Sequence, residues 1–254
     1  MSLPLPLPWP FEREYMQLAL LAGLIMGACA PLIGAFLVQK QMSLLGDGMG
    51  HLAFAGVSAG FLLDIWPLWS ALAVALTGGL VLEWVRSRGK ASGDLALALV
   101  FYSGIAGGVV LASRAGSLGT GMVTYLFGSI LTVSKGDALA VVLLGAFIVV
   151  VIATCWRALL AVVLDEEAAR VSGLPVDFLN MLLSALTAIT VVAAMRVVGV
   201  LLVAALMVLP VGGAQRIAPS FKGTLLTASA IGAASAVLGL VAARLWALVE
   251  GSAR

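Results

Sequence analysis

Apolar runs long enough to cross a lipid bilayer recur from Met16 to about Ala247, and no polar stretch between them is long enough for a soluble domain. That recurrence limits the possible folds more than any motif does. Hydrophobic residues make up 62% of the chain, charged residues 10%, and the mean hydropathy is +1.16, all far from soluble proteins. Hydrocarbon forces every backbone hydrogen bond to be satisfied internally, which leaves helices or a closed barrel. The alternating pattern of barrel strands is absent and the runs are continuous Leu, Val, Ala and Gly. The expected fold is therefore all-α, a polytopic integral membrane helical bundle forming a single domain over residues 1–254.

The spans are expected at about 16–38, 45–63, 67–85, 94–112, 138–156, 176–195, 198–213 and 223–247, about eight in all. Between the fourth and fifth, "GTGMVTYLFGSILTVSKGD" is apolar but short and Gly-rich, so a short or re-entrant helix packed against protein is expected. The start "MSLPLPLPWPFEREYMQ" lacks the basic region of a removable signal. Its prolines at 4, 6, 8 and 10 favour an extended lead-in that ends in an interfacial turn around Trp9 and Phe11. Cys29 and Cys155 stand alone in apolar sequence and read as buried small residues. If the loop "RSRGK" at 86–90 is cytoplasmic, eight of the 14 Lys and Arg lie on that side. This weak bias puts the N-terminus outside and the polar stretch 164–177 in the cytoplasm.

The segment "SLLGDGMGHLAFAGVSAG" at 43–60 holds the chain's one histidine, four residues after an aspartate. At about 100° per residue Gly46, Gly50, Gly56 and Gly60 gather on one arc, a small-residue face for close helix packing, while Asp47 and His51 project beside it. Residues four apart on a helix are neighbours, and carboxylate and imidazole both suit a divalent transition metal. A plainer alternative has Ser43 capping the helix, Asp47 near its positive end and His51 merely hydrogen-bonding Asp47. Two ligands are too few for a complete site, but a symmetric homodimer would supply four.

Preceded by "GAFLVQKQM", this segment resembles the signature of the membrane permeases of bacterial ABC transporters for zinc and manganese, Ser-Leu-x-Gly-Asp-x-x-x-His followed by a small-residue helix. "GDLALALVFYSG" at 93–104, "YLFGSILTVS" at 125–134, "DEEAARVSGLP" at 165–175 and "VVGVLLVAALMVLPVGGAQRI" at 197–217 also resemble that family's segments, in its order. The resemblance implies a type II ABC importer-like permease in the cytoplasmic (inner) membrane. Two copies would form the pathway, two cytoplasmic ABC ATPase subunits would drive it, and an extracytoplasmic metal-binding protein would deliver the ion. It implies Asp47 and His51 as the metal-contacting pair. It also implies that the stretch carrying Asp165, Glu166, Glu167, Ala168, Gly173, Leu174 and Pro175 is the coupling helix that docks on the ATPase. Lipid is the surrounding medium, and no nucleic acid partner is expected. The protein is a transporter subunit rather than an enzyme, with no cofactor, and the cation, Zn2+ before Mn2+, is cargo.

The residues support parts of this independently. "SRGKASGD" lacks the first glycine and the following Ser/Thr of a phosphate-cradling loop, so energy must come from a partner or an ion gradient. The stretch 165–175 opens with acidic residues and closes with Gly173 and Pro175, the pattern of a short helix. Glu83 and Asp94 read as interfacial charges, Arg196 as a loop charge, and the dispersed methionines as packing. Other readings are an ion-gradient-driven secondary transporter with the pair as proton relay, or an iron-chelate ABC permease. An intramembrane hydrolase is disfavoured, since no His-Glu-x-x-His or nucleophile motif is present. Family members usually carry Ser where Gly50 stands and a proline near Ala55. They also continue with one more apolar span beyond Arg254, so the last helix is expected to be absent or the chain shortened.

Overall fold

The computed structural model describes residues 14–89, 93–115, 120–128 and 134–252. The proline-rich lead-in with Trp9 and Phe11, Lys90 of the basic loop and the side chain of Asp94 lie outside the described residues. Among the described residues ten helices follow in order: α1 (Glu14–Gln39), α2 (Leu45–Leu62), α3 (Pro67–Ser87), α4 (Gly93–Arg114), α5 (Thr120–Phe127), α6 (Lys135–Leu164), α7 (Glu166–Val171), α8 (Val176–Met195), α9 (Val200–Ala214) and α10 (Phe221–Ser252). Among the described residues there is no strand.

Helices α1, α2, α3, α4, α6, α8, α9 and α10 occupy the expected spans. Among the described residues six of them, α1, α3, α4, α6, α8 and α10, are long and apolar enough to cross a membrane unaided. The expected eight is thus an approximate count. Helix α9 has 15 residues, and α2 has 18 with Asp47, His51 and five glycines diluting its apolar content. Their neighbours compensate. Helix α2 lies in the middle of the bundle, against α3, α4, α8 and α9, and α1 packs on α6, α8, α9 and α10.

Glycine permits these approaches. Pro31 inside α1 removes the hydrogen bond to the Gly27 carbonyl, and Gly232 of α10 sits directly against that carbonyl and the proline ring. Helix α5 is too short to cross. It ends at Gly128, which meets Gly199 at the α8–α9 junction with both residues at positive φ, 75° and 85°. A side chain on either would collide with backbone. The methionines Met26, Met49, Met195 and Met207 are fully buried packing residues. Both cysteines are free, Cys29 buried and Cys155 partly so.

Candidate functional site

Helix α2 starts with Leu44 as its N-cap, and no side chain caps it, so Ser43 does not play the capping role open to it in the sequence. Asp47 stands in the first turn, where the helix dipole favours a negative charge. Its Oδ1 lies 3.8 Å from Nε2 of His51, too far for a hydrogen bond. A cation about 2.1 Å from each donor spans up to about 4.2 Å, so one ion can touch both. The side chains are 33% and 18% exposed. Among the described residues no third His, Cys, Asp or Glu joins them in a group that could hold a metal.

Met49, between Asp47 and His51, has its Cε 2.7 Å from where a Cβ on Gly79 would stand, so this turn of α2 packs against the inner part of α3. Asp47, in the first turn, lies toward the N-terminal end of α2, and His51 stands one turn further in.

The small residues of α2 face two different neighbours. A Cβ on Gly46 would lie 3.2 Å from the Met207 sulfur, and one on Gly50 3.1 Å from a Val200 methyl, both on α9. On Gly56 it would come 2.5 Å from the Cα of Ala71, and on Gly60 2.9 Å from the Cα of Pro67, both on α3. Val200 pressing on position 50 leaves little room for a side chain there. Helix α4 closes the other side. The Phe101 ring meets His51 edge-on at 4.5 Å, and a Cβ on Gly104 would be 2.9 Å from the His51 backbone. Sequence reasoning quoted Gly104 and Phe101 within the segment 93–104 and gave neither a role beside His51; both lie about fifty positions from it, beyond any local pattern.

The stretch 165–175 folds as its residues dictate. Asp165 caps α7 by accepting from the backbone N–H of Glu167 and Ala168, each at 3.0 Å. Gly173, at φ 81°, ends it. The Gly173 N–H donates to Arg170 O and the Leu174 N–H to Ala169 O, the paired bonds of a Schellman stop, and Pro175 precedes α8. Ala169 is buried and Val171 is 90% exposed, so α7 has an inner and an outer side.

Glu166 points inward into a charged cluster. Its Oε1 accepts from Lys40 Nζ at 2.8 Å, Arg86 Nη2 at 3.0 Å and Asn180 Nδ2 at 3.1 Å. Lys40 also donates to the Asn180 Oδ1, and Arg86 to Glu83 at 3.1 Å. Glu83, expected at the membrane surface, is instead buried against this arginine. Burial pushes the Lys40 ammonium below its usual value despite Glu166 beside it. Burial pushes the Glu166 carboxyl up, but hydrogen bonding and charge from Lys40, then Arg86, outweigh it and hold the group below the ordinary 4.5. Arg196 is likewise no free loop charge: it donates to Asp137 Oδ2 at 2.6 Å and lies over the Tyr125 ring at 4.9 Å.

Fold and site together define a multi-pass helical membrane protein with a partly buried polar pair on one of its helices, the class to which transport permeases belong. The model of the ABC 3 transport family matches residues 12–252, and the chain belongs to that family. It is 31% identical over 229 residues to the manganese import system permease protein ScaB of Streptococcus gordonii, covering 90% of this chain and 82% of that one. To the manganese transport system membrane protein MntC of Listeria monocytogenes it is 28% identical over 242 residues, covering 95% and 86%. A solved structure, PsaBC from Streptococcus pneumoniae in complex with Fab, superposes with a TM-score of 0.80 at 30% identity, over 91% of this chain and 83% of that one. These relatives are permease subunits and not enzymes, and so is this chain.

Proposed function

We propose that this chain, as a single transmembrane permease domain, is the membrane subunit of an ATP-driven importer of a divalent transition metal in the cytoplasmic (inner) membrane. The observation that carries the reading is the Asp47–His51 pair, 3.8 Å apart and partly buried among α2's neighbours, with room between the donors for one cation. Two copies facing each other complete a four-ligand site. Oxygen and nitrogen donors suit manganese and zinc alike. The sequence expectation put zinc first, and the manganese names of the relatives favour manganese.

The end bearing Lys40, Arg86 and α7 is cytoplasmic in this reading. Helix α7 docks on a separate ATPase through its outer side, where Glu167, Arg170 and Val171 stand exposed. An extracytoplasmic metal-binding protein releases the ion at the opposite end. ATP-driven movement then changes which end of the pathway is open.

Cells carrying Asp47→Ala or His51→Ala test the site by uptake of manganese and zinc, with assembly checked by co-purification of the ATPase. Each variant is expected to lose more than the roughly 10–100-fold that loss of an outer-shell partner costs a metal site. Normal uptake by both variants in assembled complexes would sink the assignment.

A further inference from the structure

We propose that the Glu166 carboxylate is the joint between α7 and α2, so that movement of α7 reaches Asp47 and His51 through Lys40. The inference rests on the functional reading above and assigns Glu166 and Lys40 a positioning role for that site. The three acidic residues at the start of α7 have separate tasks. Asp165 is spent on the cap, Glu167 is exposed, and Glu166 alone of the three reaches inward to Lys40, Arg86 and Asn180.

Lys40 is the link to α2. Its side chain is 7% exposed, enclosed between α1, α7 and α8. Four residues separate it from α2, and backbone hydrogen bonds hold that turn: Met42 N–H to Leu37 O at 2.9 Å, Leu45 N–H to Met42 O at 2.9 Å, and Gly48 N–H to Leu44 O at 3.0 Å. A turn bonded in this way passes on a displacement instead of absorbing it. Gln41 inside it holds φ 60°, a left-handed conformation uncommon outside glycine that the surrounding bonds keep in place. Arg86, the second partner of Glu166, also touches the Met42 sulfur at 3.5 Å, which gives the cluster a second grip on the same turn. A cavity of about 470 Å³ beside Lys40, Met42, Arg86 and Leu97 leaves the turn space to move.

The test uses the permease co-purified with its ATPase in proteoliposomes, with manganese uptake and ATP hydrolysis measured on the same preparation. In Glu166→Gln the expected result is hydrolysis within about twofold of the parent and uptake lower by on the order of tenfold, the size of a typical coupling between sites. Lys40→Met should reproduce this split. Lys222→Met, which removes an exposed cation of α10 over the Trp156 ring (4.7 Å), away from α7, should change neither quantity. Unchanged uptake, an equal fall of uptake and hydrolysis, or the same split in Lys222→Met overturns the joint. If Glu166→Gln does not assemble, Lys40→Met decides, and failure of both to assemble also overturns it. Uncoupling by Glu166→Gln alongside normal uptake in Asp47→Ala and His51→Ala would keep the joint and remove the metal site.

Discussion

Arg196 follows the last residue of α8 while Asp137 belongs to α6, 59 positions away, and the aspartate side chain is 1% exposed. Removing one partner of such a pair strands the other's charge, whereas removing both does not. Arg196→Met is expected to cost about 3–5 kcal/mol of stability, read as an earlier thermal transition in detergent, with the double variant carrying Asp137→Asn recovering part of the loss. Sequence reading saw Arg196 as a loop charge because nothing near it names a partner. Ser134 and Asp137, by contrast, form a capping box, and only their spacing of three residues is needed to see it. The same distinction runs through the candidate site. Asp47 and His51 are legible as a pair because four residues on one helix bring them together. Phe101 is not, because its contact with His51 exists only once α4 is packed on α2.

Elements in this bundle are kept in register by glycines whose loss can be weighed one against another. Gly56→Ala places a methyl 2.5 Å from the Cα of Ala71, so α2 and α3 must separate, at a cost of about 1–3 kcal/mol. Gly107→Ala on α4 meets nothing within 4 Å and should be neutral or favourable by up to about 1 kcal/mol. Melting of the two variants side by side checks the contrast. Helix α7 responds to acid. Glu166 titrates below 4.5 in the folded protein, so its hold on α7 is complete above that pH and is lost as pH falls through the lower folded value. Amide exchange along Glu167–Val171 should therefore be faster in Glu166→Gln than in the parent above pH 4.5, and the difference should vanish in stronger acid. The helices themselves were readable as apolar runs, and α7 as an acidic start with a glycine stop. The tertiary pairings that fasten α7 to the spans left no trace in local pattern, since Lys40, Arg86 and Glu166 each look like ordinary loop charges.

At the scale of the whole molecule, one chain offers two donors and the proposed pathway needs two chains. Complexes carrying one tagged parent copy and one Asp47→Ala copy should lose most manganese uptake, as a shared site requires; half the parent uptake would mean that each copy works alone. Helix α2 has a consequence of another kind. It holds both polar residues of the candidate site, it falls short of the apolarity that lets a helix enter lipid unaided, and most of its residues are buried against other helices. An aspartate in a lone spanning helix opposes insertion, by up to about 2.5–3.5 kcal/mol at the helix centre and by less in a first turn such as that of Asp47. During synthesis α2 is therefore expected to insert fully only once α3 and α4 arrive to cover it. Biogenesis and the proposed transport draw on the same eighteen residues, and variants that raise the apolarity of α2 should ease the first at the expense of the second.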